Sequence, residues 1–150
     1  SPSIFWCPAI NFAIETAMRL SEQLNLTWQN VALTKRTAFL PAEITKGNRS
    51  RTVPLTDKAI QVLNEIPRHI KGKVFPMSLN YHNKGWRALI KRADIVGLRW
   101  HDLRRESTSR LFERGLSITE VQQITGHRTL QMLSTYTTHE AEKLVIKLRK

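Results

Sequence analysis

Acidic residues are scarce in this chain. Twelve Asp and Glu stand against 24 Lys and Arg, which leaves a formal net charge of +12 and a sequence pI near 10.6. Asp57, Asp94 and Asp102 are its only aspartates, and no paired-carboxylate motif appears. That shortage argues against a metal-dependent nuclease, whose cations need clustered oxygen ligands. Cysteine is nearly missing as well: Cys7 stands alone, which excludes an intrachain disulfide and a thiolate metal cluster and suits a reducing, cytoplasmic setting. No apolar run approaches the roughly 18 residues that a membrane span needs, and no signal peptide is expected. Asn25-Leu26-Thr27 and Asn48-Arg49-Ser50 match the glycosylation sequon, but in such a compartment they are chance matches. The chain opens at Ser1 without Met and runs quickly into an apolar segment, as a domain excised from a longer protein would.

What is present is ordinary in bulk and unusual in charge. A length of 150 residues, 41% hydrophobic and 24% charged, is that of one globular domain with a real core. The basic surplus attracts polyanions, of which nucleic acid is the commonest.

Periodicity predicts a mainly helical α+β domain with a small three-stranded antiparallel sheet in its N-terminal third. Ile10, Ala13, Ile14, Ala17 and Met18 form a helical stripe, with Arg19 oddly placed at its end, and Ser21 is expected to cap a short second helix. Val31 to Leu33, Thr37 to Leu40 and Arg51 to Leu55 read as strands, with turn chemistry at Lys46-Gly47-Asn48. Helical pieces follow, carrying Ala59 to Leu63, then Trp86 to Ile90, then Leu103 to Phe112. Ser117 and Glu120 form a capping box closed by Gly126, and Thr137 and Glu140 a second one before the stripe Ala141, Leu144, Val145 and Leu148.

Chemistry gathers at a few of these boundaries. His101 and Arg104, three apart, share a face of a helix's first turn, where free N–H groups and the dipole favour a phosphate. Gly126 lets the chain leave its helix sharply, so that His127 projects into a cleft, and Tyr136 lies nine residues beyond His127. A phenol of pKa near 10 is ionised to roughly one part in a thousand at neutral pH. A tyrosine nucleophile therefore needs positive charge or a base beside it. Each piece alone has a plainer explanation, as a solvated turn or a packed ring.

In order along the chain, Ala17-Met18-Arg19-Leu20-Ser21-Glu22, Thr45-Lys46-Gly47 leading to Arg51-Thr52-Val53-Pro54-Leu55, His101-Asp102-Leu103-Arg104, Gly126-His127 and Thr135-Tyr136 resemble the signatures of the tyrosine recombinase (phage integrase) family. The resemblance runs from about residue 8 to 140. It implies an integrase-like catalytic domain over residues 1–150, without the N-terminal domain that clamps DNA in the family. It also implies roles: Arg19 and Arg104 hold the scissile phosphate, His127 donates to a non-bridging oxygen, and His101 manages the proton of the nucleophile. Lys46 protonates the departing 5′-oxygen, Glu22 orients its neighbours, and Tyr136 becomes a 3′-phosphotyrosine. The implied partner is double-stranded DNA, bound by a homotetramer that exchanges helix 138–149 between neighbours, with no cofactor, metal or membrane.

Arg49 and Arg51 read as backbone-phosphate contacts, and Lys84 and Arg87 as part of a DNA face running from Arg68 to Arg92 through Lys71, Lys73 and Lys91. Three positions depart from the family: Ala17 where Gly is frequent, Asn30 where Asp is common, and Arg105-Glu106 where His-Thr is frequent. A type IB topoisomerase and a non-catalytic DNA-binding module remain the alternatives. The second leaves the spaced Arg, Lys, His and Tyr set unexplained.

Overall fold

The computed structural model describes residues 2–68, 72–137 and 141–149. Helices α1 (Trp6–Thr16) and α2 (Leu20–Asn25) lead into strands β1 (Val31–Ala32), β2 (Thr37–Leu40) and β3 (Arg51–Pro54). Helices α3 (Asp57–Glu65), α4 (Leu79–Arg92), α5 (Trp100–Glu113) and α6 (Ile118–Thr125) follow, then a 3₁₀ segment, Leu130–Tyr136, and α7 (Ala141–Leu148). The strands form an antiparallel sheet in the order β1-β2-β3, with Val31 opposite Ala38 and Leu40 opposite Arg51. The predicted α+β architecture is the one found.

Buried α1 packs against α3 and α5, and its Phe12 ring meets Phe75 at 5.3 Å between centroids. Met18, Leu26, Leu40 and Leu63 complete this main core. A second small cluster, Leu111, Val121 and Leu133, joins α5, α6 and the 3₁₀ segment, and the Tyr136 ring packs against it. Helix starts follow their caps: Thr56 accepts from the Ala59 N–H at 3.1 Å and Ser78 from the Tyr81 N–H at 3.1 Å. The Ser117–Glu120 box is closed in both directions, at 2.8 and 3.2 Å.

Two expectations near the N-terminus need correction. The first helix stops at Thr16, so Ala17 and Met18 are buried outside it. Ala17 adopts a left-handed conformation, φ 57°, with its N–H returning to the Ala13 carbonyl at 3.1 Å. This is the glycine-favouring geometry that a frequent Gly at this position would suit. Ser21 is not the cap of α2. Arg19 holds that place, and its N–H is taken by the Glu22 carboxylate at 2.9 Å. The first and third strands are also each one residue shorter than expected, leaving Leu33 and Leu55 outside them. Glu140 of the second capping box, the first three residues of the expected terminal helix and Lys71 lie outside the described residues.

Ala17 is fully buried, so its methyl contributes packing while its backbone is strained. Replacing it with Gly exchanges relief of about 1–2 kcal/mol of left-handed strain for a lost methyl of about 0.8 kcal/mol and a freer unfolded chain. Ala17→Gly is therefore expected to unfold within about 1 kcal/mol of the parent. A β-branched Ala17→Val, crowded and strained at once, should lose at least about 2 kcal/mol in urea titration.

Candidate active site

The turn at Ala17 does more than end a helix. It aims the Ala17 carbonyl at the Arg104 guanidinium, whose Nη1 also donates to the Thr125 carbonyl at 2.9 Å. Arg104 is 4% exposed, on the buried side of α5. The same turn brings Arg19 out at the head of α2, half-buried, with its guanidinium 3.8 Å from Glu22. Arg19, His101 and Arg104 line one small cavity of about 120 Å³. His101, Arg104, His127 and Tyr136 line a larger neighbouring one of about 650 Å³, together with Arg105, Thr108 and Met132. Segments far apart in sequence thus bring Arg19, His101, Arg104, His127 and Tyr136 to one place.

Tyr136 reaches it through packing. Leu133, fully buried, sits one 3₁₀ turn earlier on the same face. The tyrosine ring stacks on Phe112, with centroids 6.0 Å apart and planes at 17°. Lys46 is exposed on its turn, whose neighbours Thr45 and Gly47 line a third cavity of about 330 Å³ with Arg19, Arg49, His127 and Arg128. His127 therefore stands between the cavity holding the phenol and the one bordered by the lysine's turn.

Arg51 is engaged within the protein rather than free on its surface. It shares the inward face of β3 with buried Val53, and its side chain is only 10% exposed. Nη1 and Nη2 both bond the Glu22 carboxylate at 2.7 Å, and Nε donates to the Ile124 carbonyl at 2.9 Å. With its guanidinium bonded inward, it ties α2, β3 and the end of α6 together, which speaks against its expected use as a phosphate contact although it borders the same cavity as Arg19 and Arg49. Glu22, wholly buried, is the anionic centre of this tie. Burial pushes its carboxyl up, but the bonds from Arg51 and the Arg19 N–H prevail and hold it below its ordinary range. Arg49, Lys84 and Arg87 are exposed, the last two on the outer side of α4.

The electrostatics are those of clustered, desolvated cations. Burial, and then Arg19, lower the Arg104 guanidinium to about 9, so it stays charged at neutral pH. Burial also lowers Arg19, where Arg51 and Arg128 oppose the help of Glu22. Burial and the arginines lower His101, and take His127 down to about 4. Both imidazoles are consequently neutral at pH 7. Desolvated like charges gathered around a cleft favour an oxyanion entering it. A phosphodiester, with two charged-face oxygens for guanidinium forks and imidazole donors, fits that demand.

Residue-pattern reasoning missed Thr125 and Arg128. Thr125, fully buried, contacts both Arg104 and His127, and it sits beside the Gly-His pair that drew notice. Arg128 follows that pair directly and lies over Gly47 of the lysine's turn.

The chain matches the phage integrase family over residues 6–143 and belongs to it. It is similar to the shufflon-specific DNA recombinase of Escherichia coli, 41% identical over 139 residues, covering 92% of this chain and 36% of that protein. It is also similar to the integrase of Salmonella phage P22, 32% identical over 85% of this chain and 37% of that one. Among solved structures, the catalytic domain of bacteriophage HP1 integrase superposes with a TM-score of 0.73 at 21% identity, over 97% of this chain and 82% of that one. The Tn1549 transposon integrase, solved with a circular intermediate DNA, gives 0.77 at 17% identity, over 97% and 58%. The chain spans 35% to 41% of the length of four of its curated relatives.

Two outcomes follow from the geometry. Arg51→Ala strips a buried carboxylate of its two-bonded guanidinium partner and should cost about 3–5 kcal/mol in urea unfolding, whereas Arg49→Ala should stay within about 0.5 kcal/mol of the parent. An Arg51→Ala protein as stable as Arg49→Ala would contradict the tie. For acid, native His127 titrates near 4 against an ordinary 6.5, so across that window the unfolded chain takes up a proton that the native one refuses. Stability therefore falls as pH drops from 6.5 toward 4, with His101 and His82 acting in the same sense. In thermal melts across that window, His127→Asn should show a shallower decline than the parent.

Proposed function

We propose that this chain is the catalytic domain of a site-specific DNA recombinase, cleaving and rejoining strands through a covalent bond to Tyr136. The observation that carries this reading is the shared cavity. Tyr136 lines the same space as Arg104, His101 and His127, while the turn bearing Lys46 borders a cavity on the other side of His127. In-line displacement at phosphorus needs its nucleophile and leaving group on opposite sides.

In the proposed step the Tyr136 oxygen forms a bond to phosphorus and its proton passes to neutral His101. The bond from phosphorus to the 5′-oxygen breaks, and Lys46 gives that oxygen a proton, because an alkoxide is a poor leaving group. Arg19, Arg104 and the His127 N–H stabilise the charge on the non-bridging oxygens. The phosphotyrosine keeps the energy of the broken ester, so attack by a 5′-hydroxyl reverses the step without ATP. Glu22 keeps Arg19 and Arg51 in register.

Double-stranded DNA is the proposed partner, supported by the family and by the surplus of cations. Arg49, Lys84 and Arg87 are proposed to meet its backbone, whereas the Arg51 guanidinium is occupied by Glu22. The assembly on DNA is proposed to be a homotetramer in which the terminal helix passes to a neighbour. Exposed Leu144, Val145, Ile146 and Leu148 on α7 support this. The remaining length of the relatives leaves room for the expected N-terminal clamp. No helix among the described residues is long and apolar enough to cross a membrane, and a DNA-associated, cytoplasmic setting suits the exposed Cys7 thiol.

The test uses a pool of nicked random-sequence duplexes, whose cleaved fragment diffuses away and traps the adduct. Recovery of detergent-stable protein–DNA adducts is expected from the parent and none from Tyr136→Phe. Adducts that persist in Tyr136→Phe sink the reading. Supercoil relaxation without recombinant products on the recovered sequence would turn it toward a topoisomerase.

A further inference from the structure

The imidazole of His127 has two nitrogens, and only one arrangement of its proton lets the ring donate to a phosphate. Nδ1 lies 2.5 Å from the Thr125 hydroxyl and 3.4 Å from Nη2 of Arg104. A guanidinium has donors only, so the nitrogen facing it must offer a lone pair. The hydroxyl in turn accepts the His127 backbone N–H at 3.4 Å, which leaves its own hydrogen for Nδ1. We propose that Thr125 is a positioning residue that fixes His127 as the Nε2–H tautomer, so that the ring presents a donor, and not a lone pair, to the phosphate.

Local structure makes this pairing. Residues two apart do not face each other on a helix, but α6 ends at Thr125, and Gly126, at φ 75°, turns the chain back so that the two side chains meet. Thr125 is 0% exposed, so solvent does not compete for its hydroxyl. Its carbonyl also accepts from Nη1 of Arg104. One residue thus sets both a guanidinium and the imidazole beside it. The ring is neutral at pH 7: burial, then Arg104, Arg19, Arg51 and His101, facing it from α5, the head of α2 and β3, oppose its charge. A neutral imidazole carries one proton, and with Nδ1 occupied as acceptor that proton is on Nε2. A free Nδ1 would admit the other tautomer, whose Nε2 lone pair repels a phosphate oxygen.

The inference rests on the phosphoryl-transfer reading for its catalytic part and on the structure alone for its tautomer part, and the experiment separates them. Thr125→Val keeps the shape and removes the hydroxyl; Thr125→Ser keeps the hydroxyl. Ring ¹⁵N resonances of DNA-free protein at neutral pH should show His127 as Nε2–H in the parent and in Thr125→Ser, and a tautomer mixture in Thr125→Val. On the duplex recovered above, Thr125→Val should form adduct about tenfold more slowly at saturating DNA, the order expected for losing the partner that orients a site imidazole. Its DNA affinity should stay within about twofold, because binding is not what the hydroxyl supports, and Thr125→Ser should restore the rate. An Nδ1–H tautomer in the parent protein overturns the proposal outright and needs no variant. A Thr125→Val enzyme with the parent rate overturns it too, whatever its tautomer. Should Thr125→Val fold poorly, Thr125→Ala supplies the same comparison. Adduct formation by Tyr136→Phe would instead fail the underlying reading and leave the resonances to judge the tautomer.

Discussion

Glu22 is the point on which the rest of this structure depends. Around it stand cations that repel one another: Arg51 bonded to both carboxylate oxygens, Arg19 bonded through its backbone, and Arg104 close enough to feel all three. A buried carboxylate of this kind adds little net stability over a well-packed apolar group, but removing one partner is expensive. What it provides is register. Arg51 reaches from Glu22 to the Ile124 carbonyl, so the head of α2, the inner face of β3 and the tail of α6 are fixed together. Those are the segments that carry Arg19 and His127, and β3 is the strand that follows the turn of Lys46.

The same constraint gathers positive charge at the site. One buried carboxylate does not balance the guanidiniums gathered near it, and desolvation lowers their proton affinity further. A protein bears that arrangement when a ligand completes it. In the proposed reaction a DNA phosphate enters between the phenol side and the lysine side and brings negative charge, and fixed cations that need no rearrangement would stabilise the added charge of the transition state. Neutral imidazoles suit this design, since they donate hydrogen bonds without adding to the repulsion.

Much of this was legible in the residues. Capping boxes, glycine stops and period-two strands located α6, β2 and β3 because those signals are local. The ordered motifs pointed to five groups that the fold does bring together. What escaped was set by tertiary contacts. Ala17 continued a helical stripe by periodicity, yet a left-handed turn was needed to aim its carbonyl at Arg104. Arg51 looked like a surface cation because its charge outweighed its position, although its two-residue offset from Val53 marked the inward face of a strand. Thr125 carried no signal by itself; its role exists only where Arg104 arrives from α5. Lys46 remains the group tied least closely to the others, exposed on a turn that borders the cage without closing it.

The central claim is that fixed positive charge grips one phosphate within reach of the Tyr136 oxygen. The most direct measurement compares cleavage by Arg19→Ala on the recovered duplex with the same duplex carrying a neutral methylphosphonate at the scissile position. Because one variant is read on two substrates, any effect on folding cancels. On ordinary DNA the variant should be slowed by about a hundredfold or more, as for loss of a single charge-stabilising donor, and on the neutral linkage most of that deficit should vanish. An equal deficit on both substrates would mean that Arg19 does not act on the charge of that phosphate, and the cage would not be the catalytic device described.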